Sequence, residues 1–589
     1  MQARGWNECD IILVTGDAYV DHPSFGAALI GRWLEHLGYK VGLIAAPDPK
    51  SVDAFRVLGP PRLFWGVTAG NLDSQLARLT VMRKRRRDDP YLPEGQGDLR
   101  PPNATIVYVT RVRQAFKEPA AGKRIPVIIG GIEASLRRFP YYDYWTDSVK
   151  RSLLFDSKAD LLVYGMAEQA IAEVAARLNR GTSLSGIHGT AEIKKMNPEV
   201  RSQNPESSLP SFETVATDKT AFSRMTREIL LDTASAEHHT FVQNCGDRTL
   251  VVHPPAPPLP PDALDILYAL PFTRRPHPSY GKARIAAYEM IKDSITTHRG
   301  CYGSCAFCAI AAHQGKTIVS RSRASILAEV RSLTSSRDFH GTVSDLGGPT
   351  ANMYGTRCRR AEAPCRRPSC LTPDLCPNLE TDPSAQLELW RAARQIPGIK
   401  HVFVTSGLRF DLALAQESRG YITELAEHHV CGRLKIAPEH IAAGVLRRMR
   451  KPADASRQQF ITRFREASRR VGKPQKVVEY FISGHPGCTL KDMIELALHL
   501  KREHIRPEQV QDFYPAPLTA AAAMFHTGTD PLTAEPVYVA RTDNEKALQR
   551  ALLLCHDPTF HRKAREALRS AGREDLIGRG PNHLVPPGP

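Results

Sequence analysis

The sequence predicts an α/β chain, in which an N-terminal Rossmann-like parallel sheet is followed by a partial β/α barrel. Residues 10–180 alternate short apolar strands with amphipathic stretches, a second such series runs from about 290 to 514, and three cysteines crowd the loop after that series' first strand. Short apolar runs spaced by helical segments are the pattern of strands covered on both faces by helices.

Ile11 to Gly16 reads as a buried strand, Gly26 to Leu37 as an amphipathic helix stopped at Gly38, and Lys40 to Ala46 as the next strand. Further strands are expected at Leu63 to Val67, Ala104 to Val109, Pro126 to Gly130 and Asp160 to Tyr164. Such sheets bind ligands at the carboxyl ends of their strands, where Gly16-Asp17, Thr68 to Asn71, Gly130 to Glu133 and Gly165 to Glu168 would converge. The pattern weakens between 181 and 250, and His253 to Pro261 is too proline-rich for helix or central strand. Six strands follow at Ile291 to Thr297, Thr342 to Leu346, His401 to Thr405, Leu434 to Ala437, Val477 to Ile482 and Val510 to Tyr514. The expected division is 1–200 for the first domain, 201–285 for an irregular connector, and 286–525 for the barrel with a cysteine-rich insertion at 356–380. An extension covers 526–589, with a Gly- and Pro-rich tail expected to be disordered.

No uncharged apolar run approaches the roughly 18–20 residues of a membrane span, and the first residues enter a strand without a signal-like apolar region, so a cytoplasmic setting is expected. Twelve cysteines are too few for a disulfide scaffold in 589 residues, and seven of them fall between 301 and 376, which reads as metal binding. The net charge of +17 and the runs Arg83 to Arg87 and Arg447 to Lys451 suggest a polyanionic partner such as RNA, although such runs also occur on solvated helix faces.

Cys301, Cys305 and Cys308 form a C-x3-C-x2-C loop with Gly300 and Gly303. Zinc would require a fourth ligand, which His298 or His313 could supply. A 4Fe-4S cluster held by three cysteines instead leaves one iron open. Cys358, Cys365, Cys370 and Cys376 form a second set, sufficient for zinc or an auxiliary cluster, with unligated thiols as the simpler alternative. The other strand ends carry Asp345 to Thr350, Thr405 to Arg409, Pro438-Glu439-His440 and Ser483 to Gly487, where barrel chemistry gathers.

Arg299 to Arg321, Asp345-Leu346-Gly347-Gly348-Pro349, Lys435 to His440, Gln511 to Leu518 and Gly130 to Arg138 together resemble the YgiQ-type branch of the radical S-adenosylmethionine (SAM) superfamily, over nearly the whole chain. The resemblance implies a 4Fe-4S cluster on Cys301, Cys305 and Cys308, SAM on its open iron, and an electron donor of the flavodoxin or ferredoxin class. It assigns Gly347, Gly348 and Gly484 to SAM binding, with Arg409 and Glu439 as ribose or carboxylate contacts. Pro349 stands where the superfamily usually has an acidic residue, which implies a backbone contact there. The N-terminal domain is similar to cobalamin-binding domains. Asp21-His22-Pro23-Ser24-Phe25-Gly26 departs from the Asp-x-His-x-x-Gly of relatives that ligate cobalt through histidine, so cobalamin is left as an open expectation. The implied activity is reductive SAM cleavage acting on an unidentified substrate, with RNA or protein modification suggested by the charge. The alternative is a non-catalytic iron-sulfur or zinc protein that binds nucleic acid.

Overall fold

The N-terminal sheet is built around β1 (Ile11–Thr15), every residue of which is buried. In this computed structural model, which describes residues 1–117, 124–195, 208–360, 365, 367–507 and 509–588, β1 pairs in parallel with β2 (Val41–Ala45) on one side and β3 (Phe64–Thr68) on the other. Parallel pairing continues through β4 (Val127–Gly130) to β5 (Leu161–Val163). The sheet then turns antiparallel through β6 (Thr190–Lys195), and the hairpin of β7 (Phe241–Cys245) and β8 (Arg248–Val252) completes the order β2-β1-β3-β4-β5-β6-β8-β7. The helix Gly26–His36 buries Ala28, Leu29, Gly31 and Leu34, an i, i+3 spacing that turns one face to the sheet.

Ala104 to Val109, expected as a strand, is the first half of a helix, Ala104–Ala115. Its β-branched residues suggest a strand, but the buried positions Ala104, Thr105, Tyr108, Val109, Val112 and Ala115 recur at helical spacing, and packing overrides propensity. Residues 208–285, expected to belong to an irregular connector, carry regular elements instead. They hold the helices Phe212–Thr217, Lys219–Ala234 and Pro261–Tyr268 as well as the hairpin that widens the sheet, while the expected boundary at 200 lies outside the described residues.

The second series forms an arc of parallel strands in chain order. β9 (Ser294–Thr296) pairs with β11 (Asp345–Gly347), β10 (Thr342–Val343) with β12 (His401–Val402), and a bridge from Leu408 to Ile436 joins the arc to β13 (Arg433–Glu439). β14 (Lys476–Ser483) and β15 (Gln509–Asp512) follow in parallel. Helices such as Arg323–Thr334, Ser384–Arg394 and Asp454–Arg470 cover the outside, burying Trp390, Tyr421, Phe460 and Phe464 in one apolar cluster.

The C-terminal extension packs across both units. Lys546, on the helix Asp543–Leu553, donates to the Tyr144 hydroxyl of the N-terminal domain at 2.8 Å, and Gln549 accepts from the Gly484 amide at 2.9 Å. The tail expected to be disordered instead folds back. Val585 bridges to Ile577, and Leu584 and Val585 are buried, because two apolar residues there find the groove beside Leu568 and Leu576.

Candidate active site

The three-cysteine loop takes its shape from backbone constraints on both flanks. Gly300 has φ of +84°, and a Cβ there would overlap the Thr317 carbonyl, so only glycine fits. The Cys301 amide donates to the Gly315 carbonyl at 3.2 Å and the Cys308 amide to the Cys305 carbonyl at 3.0 Å, which closes the loop as a turn. Ala306 ties it outward, its amide donating to Met449 and its carbonyl accepting from Ala521, both at 2.9 Å.

The three cysteines border one cavity of about 160 Å³, walled further by Phe307, Pro349, Thr350, Arg409, Glu439 and Lys451. Thr350 Oγ1 lies 3.3 Å from Cys301 Sγ, in hydrogen-bonding contact, and Arg409 Nη1 donates to Cys305 Sγ at 3.5 Å. Asp411 fixes that guanidinium bidentately, at 2.9 Å to Nε and 2.6 Å to Nη2. Burial raises the Cys301 thiol and pushes the Cys308 thiol up to about 12. Thiols so desolvated hold their protons unless a metal replaces them.

Arg409, expected at a ribose or carboxylate, lines the cavity with its guanidinium also donating to a cysteine sulfur. Glu439 lines the cavity from the end of β13 with φ of +69°, where the strand slips register against β14. Burial raises its carboxyl, opposed by Lys451, whose Nζ lies 3.6 Å from Oε1. Pro349 and Thr350 reach the cavity, while Gly347 and Gly348, just before them, do not line it. A Cβ on Gly348 would stand 2.5 to 2.8 Å from three atoms of the His298 ring, and one on Gly347 would stand 2.8 Å from Ser406 Oγ. The glycine pair is therefore demanded by side chains packed beneath the strand end. Gly484 does not line the cavity either, since its amide is held by Gln549.

Residues 1–294 match the Radical SAM N-terminal family model, 295–500 the Radical SAM superfamily model, and 508–588 a domain of unknown function, DUF3362. A UPF0313 protein of Geobacter sulfurreducens is 51% identical over 580 residues, spanning 97% of this chain and 94% of that one. Another from Rhodopseudomonas palustris is 46% identical over 615 residues, spanning 100% and 90%. The chain belongs to the UPF0313 family of radical SAM proteins. Among solved structures, the cobalamin-dependent SAM radical enzyme OxsB, with aqua-cobalamin and SAM bound, matches at a TM-score of 0.50 and 11% identity over 96% of this chain and 71% of that one. At that identity the likeness shows the shared fold, a Rossmann-like domain joined to a barrel. This UPF0313 protein is thus a radical SAM enzyme, and its family implies a 4Fe-4S cluster and SAM.

The zinc alternative loses its fourth ligand. His298 Nε2 lies 3.1 Å from the Thr350 carbonyl and Nδ1 lies 2.9 Å from Thr297 Oγ1, so both ring nitrogens are engaged. His313 lines neither the cavity nor the far face of the loop. Among the described residues no three His, Cys, Asp or Glu side chains converge on one metal ion, whereas a cubane spreads its thiolates over separate irons.

The N-terminal strand ends do not form the expected crevice. The switch point of the sheet lies between β1 and β3, and Arg100, fully buried, fills it. Its Nη2 is 2.7 Å from Asp17 Oδ1, its Nε is 2.7 Å from Asp89 Oδ2, and its Nη1 donates to the Ala69 carbonyl. His22 is buried beneath residues 273–276, where Asp21 exchanges backbone hydrogen bonds with Arg274 and Arg275, and its Nδ1 accepts from the Ser24 amide. Arg100 and its two carboxylates thus occupy this switch point, while His22 Nε2 stays buried without a hydrogen-bond partner. The other strand ends serve different purposes. Glu133 accepts from Ser74 and faces Arg137, while Glu168 at the end of β5 pairs with Arg299 at 2.7 Å, two residues before Cys301. The domain thereby clamps the base of the cysteine loop.

The second cysteine set packs on the same loop. Cys370 and Cys376 share an apolar cluster with Tyr302, Met353 and Cys301, the Cys370 amide donates to the Tyr302 carbonyl at 3.1 Å, and Ser369 Oγ donates to the Gly303 carbonyl at 2.8 Å. Burial raises the Cys370 thiol, with Cys376 and Cys365 close enough to add to it, whereas Cys358 is exposed on the ribbon Arg357–Cys358. The basic runs also diverge. Arg83 to Arg87 are exposed, but Arg448 pairs with Asp530 and Glu535, and Arg450 and Lys451 point inward to the cysteine loop. The first run thus stays at the surface, with Arg85 paired to Asp98 and Arg83 over the Tyr144 ring. No helix among the described residues is long and apolar enough to cross a membrane.

Proposed function

We propose that Cys301, Cys305 and Cys308 hold the 4Fe-4S cluster of this radical SAM enzyme and that the cavity they border receives SAM. When bound, a reduced cluster supplies the single electron that breaks a carbon–sulfur bond of SAM. The supporting observation is the convergence on one cavity of three half-buried cysteines, a hydroxyl on one sulfur and a guanidinium on another.

The chain's own residues supply orientation and a dry wall. Arg409 and Thr350 fix two sulfurs by hydrogen bonds, and Asp411 holds Arg409 in place. Glu439 and Lys451 offer an acceptor and a donor to the polar groups of SAM across the cavity. Glu439 keeps a backbone conformation uncommon outside glycine, a strain that functional sites tend to retain. Phe307 excludes water from the same wall. In this reading reduction comes from a flavodoxin- or ferredoxin-class donor in a reducing, cytoplasmic setting, which the free cysteines support.

The test is anaerobic reconstitution with iron and sulfide, followed by dithionite and SAM. Formation of 5'-deoxyadenosine by the wild-type protein, and its loss in Cys305→Ala, is the expected result. A fully reconstituted wild-type protein that leaves SAM intact would return the chain to the binding-protein class.

A further inference from the structure

Behind the cysteine loop lies a second cavity of about 40 Å³, which shares Ser304, Cys305, Cys308 and Ala311 with the first. It opens on the seam between the N-terminal domain and the barrel. Its walls include three cations, Arg138 from the first domain, Lys316 from the segment after the loop, and Arg450 from the barrel.

None of the three makes an ion pair among the described residues, in a protein where Arg100, Arg137, Arg299 and Arg409 each face a buried carboxylate. Arg138 is 5% exposed, and its Nε is buried without a hydrogen-bond partner. Its Nη1 donates to the Ser135 carbonyl at 2.6 Å and lies 3.4 Å from the Ala312 carbonyl, and the guanidinium stacks 4.5 Å from the Tyr164 ring. Arg450 likewise has a buried Nη2 without a partner. Lys316 Nζ donates to the Arg367 carbonyl and also reaches the Cys370 thiol, which leaves one further donor. Burial lowers the pKa of both arginines, and Asp232 near Arg138 and Asp530 near Arg450, neither in an ion pair with them, offset it only in part.

The helix Ala520–Thr527 adds its positive end, since Leu518, Thr519 and Ala520 form part of the wall. Two unpaired guanidiniums, an ammonium and a helix N-terminus around one void describe an anion cradle. The volume holds about three waters, or one small acidic group. Ile229, Leu230 and Ala234 line the opposite wall, so the group's carrier is apolar where it enters.

We infer that this cavity is an anion-binding site which anchors a carboxylate or phosphate group of the substrate on the far side of the cysteine loop. The placement beside the reacting centre rests on the cluster assignment proposed above; the anion site itself does not. The cations on the SAM side are already balanced, Arg409 by Asp411 and Lys451 by Glu439, and the family's cofactors leave the three on this side with no assigned role.

The experiment uses the full-length, anaerobically reconstituted protein and two probes, inorganic phosphate and butyrate, followed by titration calorimetry. One saturable site for at least one probe is expected, with binding at least tenfold weaker in Arg450→Met and in Arg138→Met, and at least threefold weaker in Lys316→Met. Preference for phosphate or for butyrate identifies the class of acidic group. Absence of saturable binding to the wild-type protein by either probe overturns the inference, as does binding unchanged in Arg450→Met and Lys316→Met, whether or not Arg138→Met folds. Loss of anion binding with 5'-deoxyadenosine formation intact condemns this site alone; anion binding without SAM cleavage condemns the cluster reading alone.

Discussion

Gly348→Ala is a one-carbon change whose consequences can be followed from β11 to a cluster ligand. The added Cβ would stand 2.5 to 2.8 Å from Cε1, Nδ1 and Nε2 of His298, inside the contact distance that side-chain carbons tolerate. The ring cannot swing aside freely, because Nδ1 is held by Thr297 Oγ1 and Nε2 by the Thr350 carbonyl, and the ring is fully buried. Any displacement passes to Thr350, whose hydroxyl contacts Cys301 Sγ. Overpacking of this kind costs about 1–3 kcal/mol, which for a domain of barrel size lowers the melting temperature by roughly 2–12 °C. Gly444 is the matched control. It lies in the helix Ala443–Met449 with nothing within 4 Å of a Cβ, so Gly444→Ala is expected to hold or raise stability by about 0.4–1 kcal/mol. Melting is read by differential scanning fluorimetry on metal-free protein, and iron per chain after reconstitution is read separately. Gly348→Ala should melt lower and take up less iron than Gly444→Ala. Equal melting and equal iron in the two variants would show that His298 moves freely and that the packing argument is wrong.

Arg100→Met strands Asp17 and Asp89 as buried, uncompensated charges, and removing one member of such a pair costs about 3–5 kcal/mol; chemical denaturation should show it, with much of the loss recovered when Asp17→Asn and Asp89→Asn are added. A triple variant no more stable than Arg100→Met would contradict the ion network. Four buried histidines give the acid limb of stability. Burial depresses His298, His313 and His440 to about 4 and His485 to about 3 in the folded chain. The unfolded chain therefore takes up their protons first, so stability is intact above about pH 6.5 and falls toward pH 4, by about 1.4 kcal/mol per pH unit for each histidine; a melting temperature flat from pH 7 to 4.5 would rule this out. Cys358→Ser should leave melting and first-site iron unchanged, since the thiol is exposed, whereas Cys370→Ser buries a hydroxyl against Tyr302 and Leu371 and should cost about 1–3 kcal/mol. Equal behaviour of the two cysteines would dissolve the distinction drawn between them.

Periodicity made much of the scaffold legible, and pairing made the rest invisible. Ile11 to Gly16 is recognisable as a strand because burial on both faces forces a continuous apolar run, Leu434 to Ala437 because buried Leu434 and Ile436 alternate with exposed Lys435, and the cysteine spacing carried the superfamily without help from the fold. Ala104 to Val109 misled because β-branched residues share one alphabet between strand and buried helix. The closure of the N-terminal crevice depends on Arg100 meeting Asp17 from 83 positions away, a contact that no local pattern encodes. The basic run Arg447 to Lys451 reads as a surface patch until the fold turns alternate residues toward the cysteine loop and toward Asp530. Arg409 was legible as a polar strand-end residue, but its orientation to sulfur follows from Asp411, two residues on, which grips the guanidinium from one side.

The decisive measurement is electron–nuclear double resonance on the reduced, reconstituted protein with SAM labelled by ¹⁵N at its amino group and ¹⁷O at its carboxylate. Hyperfine coupling of both labels to the cluster, present in the wild-type chain and absent in Cys305→Ala, is the expected outcome. A fully reduced cluster on the wild-type chain that shows no coupling to either label would mean that the fourth iron is closed and that Cys301, Cys305 and Cys308 do not build a SAM-binding centre.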